Sequence, residues 1–184
     1  IYQLRARIGI ARALHGQGRP TLAIPIYNEV IEKSAGRYPE VTALASFYLS
    51  FSHDMLGDEI KTLSSLKDAE KLSSFLRAEI ALAEIPARLA AYYNRKNEEA
   101  LAREYYRSAE QGMSRIYNTD KESSKTEKAK TYLLMGRLNT TQVDSESFDR
   151  LVGTLAMTQV FLLRSIEMNH AKWSEIASKE MMQN

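Results

Sequence analysis

The sequence predicts an all-α protein, and three observations support this class. Helix-forming residues such as alanine, leucine, glutamate, lysine and arginine are abundant, and apolar residues recur at the three-to-four spacing of amphipathic helices. Alternating runs of β-branched residues, which would predict strands, are missing. The 184 residues include only four prolines and eight glycines. We therefore expect antiparallel helical hairpins joined by short turns.

The clearest hairpin lies between Arg7 and Ser34. Its first helix is predicted to end at the turn around Gly16 and Gly18, and its second helix to begin near Pro20, because proline is favoured in the first turn of a helix. The apolar residues of both segments recur every three or four positions. They are Ile8, Ile10, Ala11, Leu14, Leu22, Ala23, Ile26, Tyr27, Val30 and Ile31.

Further helical patterns follow this hairpin, separated by polar breaks. They cover residues 40–56, 60–72, 75–94, 98–115, 127–138 and 147–168, with a further segment at 172–184. A break is expected near Pro86, because proline interrupts or kinks a helix. The pattern at 147–168 is apolar on more than one side, which is typical of a long helix that caps an array. Trp173 lies beyond it and is expected to require a partner surface.

Residues 117–125 form the most polar stretch of the chain, so we place a domain boundary there. Residues 1–118 are predicted to hold about three hairpins. Residues 119–184 are predicted to hold a degenerate repeat and the C-terminal capping helices.

Aligned on their turns, the hairpins share a pattern of small and aromatic residues. The first contains Ile10-Ala11, Leu14, Gly18, Ala23, Tyr27 and Val30; the second contains Leu49-Ser50, His53, Gly57 and Asp58; the third contains Leu89-Ala90, Tyr93, Ala102, Tyr106 and Ala109. This pattern resembles the tetratricopeptide repeat (TPR), whose period is about 34 residues. The repeats are degenerate, and an insertion between Leu56 and Glu84 separates the second from the third.

The resemblance implies a right-handed superhelical stack of antiparallel helical hairpins with a long C-terminal capping helix. In this family the first helices of the hairpins line a concave groove, which implies a non-enzymatic scaffold that holds a peptide or helix of a partner within a multiprotein assembly. Separately from the resemblance, we consider that copies of the chain associate through their C-terminal helices. Register alone places these residues in the groove: Arg5, Arg12, His15, Phe47, Phe51, Asp54, Asn94, Arg95, Lys130 and Arg137.

The charge balance gives little reason to expect a nucleic-acid partner. Lysine and arginine total 25 against 23 acidic residues, so the net charge is only +2. Four arginines nevertheless cluster near the start of the chain, at Arg5, Arg7, Arg12 and Arg19. The alternative hypothesis is therefore a regulatory helical domain that binds nucleic acid or a small ligand through this N-terminal basic face.

The sequence contains no pattern that predicts a catalytic or metal site. It has no cysteine, and no pair among its three histidines has the close helical spacing of a zinc site. His53 is predicted to fill the position of a packing aromatic. Glu84, like Glu79, Glu98 and Glu99, is interpreted as a helix-start or solvent-exposed acid. We therefore predict no enzyme activity, no cofactor and no metal.

The compartment is left open between cytoplasm and periplasm. No apolar run reaches the roughly 18 residues of a membrane span, and the first residues lack the apolar centre of a secretion signal. Since the chain begins with Ile1 and not with methionine, we expect a fragment or a processed product.

Overall fold

The computed structural model describes residues 1–117, 125–140 and 148–183, and within these ranges all regular secondary structure is helical. The prediction of an all-α protein is confirmed. The helices are α1 (Tyr2–Gly16), α2 (Pro20–Ser34), α3 (Pro39–Met55), α4 (Glu59–Lys71), α5 (Ile85–Arg95), α6 (Glu99–Tyr117), α7 (Lys125–Thr140), α8 (Phe148–Glu167) and α9 (Ala171–Met181). A short 3₁₀ helix (Ser73–Phe75) and a π-helical segment (Glu79–Glu84) lie between α4 and α5.

The chain divides into two compact units. The first unit covers Ile1–Arg77 and contains α1 to α4, and the second covers Ala78–Asn184 and contains α5 to α9. The boundary predicted between residues 118 and 119 lies outside the described residues.

The first unit consists of the hairpins α1–α2 and α3–α4. Gly18 and Gly57 stand in the two hairpin turns with φ of 73° and 72°, values that residues with a side chain rarely adopt, so glycine is needed there. The core between α1, α2 and α3 is formed by Ile8, Ala11, Ala23, Tyr27, Val30, Val41, Ala45 and Leu49. Helix α3 is buried on several sides because α2 and α4 pack against it.

In the second unit, Pro86 stands in the first turn of α5, directly after the π-helical segment. The predicted break near Pro86 therefore corresponds to a change from π-helix to α-helix rather than to a loop. Helices α5, α6, α7 and α8 enclose a core of Ala83, Ala87, Ala90, Ala109, Met113, Ile116, Tyr132, Met135 and Phe161.

Trp173 packs against residues of its own unit and does not need a partner protein to cover it. Its partly buried ring lies against a small cluster formed by Leu133, Leu162 and Ala177, and Lys172 Nζ lies 4.7 Å from the ring centroid. The expectation that a terminal tryptophan requires a partner surface is thus wrong, because α9 turns this residue back onto α7 and α8.

Candidate functional site

The first helices of the two hairpins in the first unit, α1 and α3, contact each other. The surface along this contact is here called the α1–α3 face, and it is formed by Arg5, Arg12 and His15 of α1 and by Glu40, Tyr48, Phe51 and Ser52 of α3. At one end, Arg5 Nη2 donates to both carboxylate oxygens of Glu40, each at 2.8 Å. At the other end, His15 Nδ1 lies 3.2 Å from Ser52 Oγ. These pairs are 35 and 37 residues apart, close to the TPR period of about 34. The spacing follows from hairpins that repeat along the chain.

The centre of the α1–α3 face is aromatic and cationic. The guanidinium carbon of Arg12 lies 4.4 Å from the centroid of the Tyr48 ring, which is a cation–π distance. The ring of Phe51 meets that of His15 edge-on at 6.2 Å and also lies 6.0 Å from Tyr48. Arg12 is exposed, and the other three side chains are partly exposed. A ligand at this face would therefore meet one positive charge beside apolar rings.

Phe47 differs from the expectation that it lies in the groove. Its side chain is fully buried, and its ring contacts those of Tyr48 and Phe51 at centroid distances of 5.2 Å and 5.0 Å. Phe47 thus packs beneath the partly exposed rings of Tyr48 and Phe51, on the side facing the core. Tyr48 and not Phe47 is the residue that the α1–α3 face presents, and register alone missed it because the two are neighbours in sequence. Asp54, at the end of α3, is exposed.

The predicted groove residues of the second unit fall into two groups. Asn94 and Arg95 lie at the end of α5, the first partly exposed and the second exposed. Lys130 and Arg137, both on α7, make ion pairs inside the unit: Lys130 with Glu84, and Arg137 with Glu180 on α9. Arg137 Nε donates to Glu180 Oε1 at 2.8 Å.

Glu84 is a buried acid that the sequence interpretation missed. Its side chain is only 1% exposed, and its carboxylate lies 2.7 Å from Lys130 Nζ and 3.6 Å from Arg88 Nε. The contacts are ion pairs rather than well-aligned hydrogen bonds. The interpretation as a solvent-exposed acid is therefore wrong, because the π-helical segment turns Glu84 toward α7. One sequence signal was present: Glu84 stands in an otherwise apolar stretch.

His53 is buried, as predicted for a packing residue, and it borders a cleft between α2, α3 and α4. The cleft has a volume of about 390 Å³ and is lined by apolar residues such as Ile31 and Leu49 and by polar ones such as Lys61 and Asp68. Burial lowers the pKa of the His53 imidazole, Lys61 adds to this effect, and Asp58 opposes it. The ring is thus neutral near pH 7 and contributes no charge to the cleft.

Residues 1–117, 125–140 and 148–183 contain neither a metal-binding cluster nor a membrane-spanning helix. No group of three or more histidine or acidic side chains there is arranged to hold a metal ion. None of the helices in these ranges combines the length and the apolar character needed to cross a bilayer.

The hairpin order and the repeat-like spacing of the α1–α3 contacts define a TPR-like helical fold, and solved structures confirm it. The chain aligns with the nearly identical TPR-like repeats of a Podosopora anserina protein assigned as a kinesin light chain, with a TM-score of 0.54 over 98% of this chain and 92% of that one, at 16% sequence identity. A variant of that protein aligns with the same values. No protein-family model and no curated protein matches the sequence. The similarity therefore shows the fold alone.

Proposed function

We propose that this protein is a non-enzymatic interaction scaffold whose α1–α3 face holds a peptide or helix of a partner protein. The observation that carries the proposal is the exposed aromatic and cationic centre of this face, formed by Arg12, Tyr48, Phe51 and His15. Helical repeat proteins generally use the surface formed by successive hairpins for binding. Aromatic residues and arginine are also the residue types that contribute most binding energy at protein interfaces.

The charge of the face suggests the chemistry of the bound segment. The carboxylate of Glu40 balances Arg5 at one end, whereas Arg12 in the centre lies over a ring and remains exposed. A segment that places an apolar side chain against Phe51 and an acidic one beside Arg12 would complement this pattern. In the second unit, Asn94, Arg95, Lys130 and Arg137 remain predicted contacts, and the ion pairs of the last two would have to open before they could bind.

An affinity-capture experiment tests the proposal. The purified chain, immobilised, should retain one specific protein from an extract of its source cells, and the double variant Arg12→Ala/Phe51→Ala should lose it. Ile60→Ala, which changes an 82% exposed apolar residue on α4, provides the matched control. Phe47 is unsuitable for this test because truncation of a buried phenylalanine costs about 3–5 kcal/mol of stability.

The alternative is that the N-terminal basic face binds nucleic acid or a small anion. Two of its four arginines already face acids: Arg5 pairs with Glu40 and Arg7 with Glu29. A hydrogen bond from Lys33, followed by the charge of Arg7, holds the pKa of Glu29 below its usual range, so this acid stays ionised. These pairs weaken the field of the basic face. An RNA or DNA affinity that falls steeply with salt concentration would support the alternative over the scaffold.

We further propose that copies of the chain associate through their C-terminal helices. The support is the apolar outer surface of α8, whose exposed side chains include Val152 and Leu163.

A further inference from the structure

The cleft between α2, α3 and α4 is elongated. Helix α3 lies between the other two and forms the floor, while α2 and α4 form the walls. On each helix the first and last of the lining residues are two turns apart, which gives the cleft a length of about 10 Å. The six residues at its ends are Ile24 and Ile31 of α2, Ser46 and His53 of α3, and Lys61 and Asp68 of α4.

Three polar side chains that line the cleft are buried: Ser46 is 3% exposed, and Ser65 and His53 are each 6% exposed. Two other buried hydroxyl groups of the first unit, those of Ser50 and Thr62, each donate to a main-chain carbonyl one turn earlier. The three cleft side chains, in contrast, form no side-chain hydrogen bond with any described residue. Because buried polar groups are normally hydrogen-bonded, a molecule in the cleft would supply the missing partners.

The two ends of the cleft carry opposite charges. Burial and, to a smaller extent, the charge of Lys61 lower the pKa of the His53 imidazole, which places Lys61 at the same end as His53. Asp68 stands two turns further along α4, which runs antiparallel to α3, so it lies at the end of Ser46. A complementary ligand therefore has a negative group at one end and a positive group about 10 Å away.

Both end charges are available to a ligand. Lys61 Nζ lies 2.8 Å from Asp58, and Lys71 Nζ lies 2.9 Å from Asp68, each within one turn of α4. The side chains of Lys61 and Asp68 are 66% and 53% exposed. Exposed ion pairs of this kind contribute little to stability, so exchanging them for the charges of a ligand costs little.

We infer that the cleft binds a free peptide of about three residues, with its carboxylate beside Lys61 and His53 and its ammonium beside Asp68. An extended chain advances about 3.3–3.6 Å per residue, so three residues match the length of the cleft. The two amide bonds supply donors and acceptors for Ser46 and Ser65, which a zwitterion without amides would leave unsatisfied.

The apolar lining sets the preferred side chain of the peptide. Neighbouring side chains of an extended chain point in opposite directions, so the central one faces the floor and the outer two face water. On the floor this side chain meets Leu49, which lies between Ser46 and His53, and the walls add Ile24 and Ile31. We therefore expect an aliphatic central residue. The cleft shares no residue with the α1–α3 face, so this inference is independent of the proposed partner contact.

Titration with the tripeptide Ala-Leu-Ala, followed by nuclear magnetic resonance of the isotope-labelled chain, tests the site. The main-chain amide signals of Ser46, His53 and Ser65 should shift with one common dissociation constant of about 0.1–1 mM, typical of a small ligand held by few contacts. Arg12→Ala/Phe51→Ala should bind the tripeptide as the wild type does. Signals that stay unchanged up to about 20 mM peptide would overturn the inference and leave the cleft to water.

Blocked peptides test the two ends. Acetylation of the peptide amine should weaken binding about fivefold, as should Asp68→Asn with the free peptide, and the two changes together should weaken it no further. Amidation of the peptide carboxylate should couple to Lys61→Gln in the same way. Glu59→Gln, an exposed acid of α4 outside the cleft, is the matched control and should leave the affinity unchanged. Coupling in the opposite sense, or equal binding of a doubly blocked peptide, would overturn the assignment.

Ser46→Ala separates binding from folding. Because the hydroxyl group has no protein partner in the free chain, its removal should not lower the midpoint of urea unfolding, whereas the affinity for Ala-Leu-Ala should fall about threefold or more. A variant that loses stability and keeps its affinity would show that Ser46 serves the fold and not the ligand.

Discussion

At Gly112 on α6, only glycine fits. A Cβ built at this position would lie 1.8 Å from the carbonyl oxygen of Leu82 and 2.4 Å from its carbonyl carbon. Both are main-chain atoms of the π-helical segment, so no side-chain rotation can relieve the collision. The absence of a side chain therefore allows α6 and the π-helical segment to approach each other closely.

Substitution of Gly112 by alanine should destabilise the protein by about 3 kcal/mol or more, because the main chain itself must move. The matched control is Gly153→Ala on α8, where the added Cβ meets nothing within 4 Å. This control should stabilise the protein by about 0.5–1 kcal/mol, the usual advantage of alanine over glycine inside a helix. Urea unfolding followed by circular dichroism measures both. Equal stability of the Gly112 variant and the wild type would contradict the close approach.

The buried ion pairs of Glu84 make a second prediction at the scale of residues. Glu84→Gln keeps the shape of the side chain but leaves Lys130 and Arg88 without their shared anion. We expect a loss of about 2–3 kcal/mol, less than for a fully buried pair because both cations are 21% exposed. Glu99→Gln, which removes an exposed ion pair with Arg103, should change the unfolding free energy by less than about 0.5 kcal/mol. Similar values for the two variants would refute the structural role of Glu84.

Among the elements, a chain of hydrogen bonds joins α6, α7 and α8. Tyr106 OH donates to Asn139 Oδ1 at 2.9 Å, and Asn139 Nδ2 donates to the carbonyl oxygen of Thr154 at 2.6 Å and to Thr158 Oγ1 at 3.1 Å. Burial raises the pKa of Tyr106 to about 12 from the usual 10.0, and the charge of Glu110 adds to this effect. The neutral phenol is therefore the form that the folded state favours.

This shift predicts a loss of stability at alkaline pH. The contribution of Tyr106 is fully present below pH 10, where the phenol is neutral in both states, and it decreases as the pH rises from 10 toward about 12. Tyr106→Phe should remove this part of the pH dependence and lower stability at neutral pH by about 1 kcal/mol, the value of one hydrogen bond. Urea unfolding at a series of pH values tests this. A variant with the same alkaline profile as the wild type would contradict the assignment.

The bounds of most elements could be predicted because their signals are local. The glycine turns around Gly18 and Gly57 and the three-to-four spacing of apolar residues predicted the end of α1 and both ends of α2 and α3 closely. Helix α1 begins at Tyr2, five residues before the predicted start at Arg7. The π-helical segment, the burial of Glu84 and the need for glycine at position 112 depend on contacts between residues about 30 or more positions apart. Of these three features, only the burial of Glu84 has a signal in the sequence, which is its place in an otherwise apolar stretch. The same limit applies to the α1–α3 face: register indicated Arg12, His15 and Phe51, but not which of Phe47 and Tyr48 is exposed.

At the scale of the whole molecule, two units share one TPR-like fold and have different surfaces. The first unit presents the aromatic and cationic α1–α3 face, and the second presents the apolar outer surface of α8. The first is proposed to bind a partner protein and the second a further copy of the chain. Because these surfaces use separate residues, each can be removed without altering the other, so the two proposals can be tested separately.

The central claim, that the α1–α3 face binds a partner protein, is tested most directly by the amount of partner retained in affinity capture. We predict that Arg12→Ala/Phe51→Ala binds the partner with about 30-fold lower affinity than the wild type and retains correspondingly less of it when the partner is below saturation. This change corresponds to the loss of about 2 kcal/mol expected when interface hot spots are truncated. Ile60→Ala should retain the wild-type amount. Equal retention by the double variant, with its fold intact by circular dichroism, would contradict the claim.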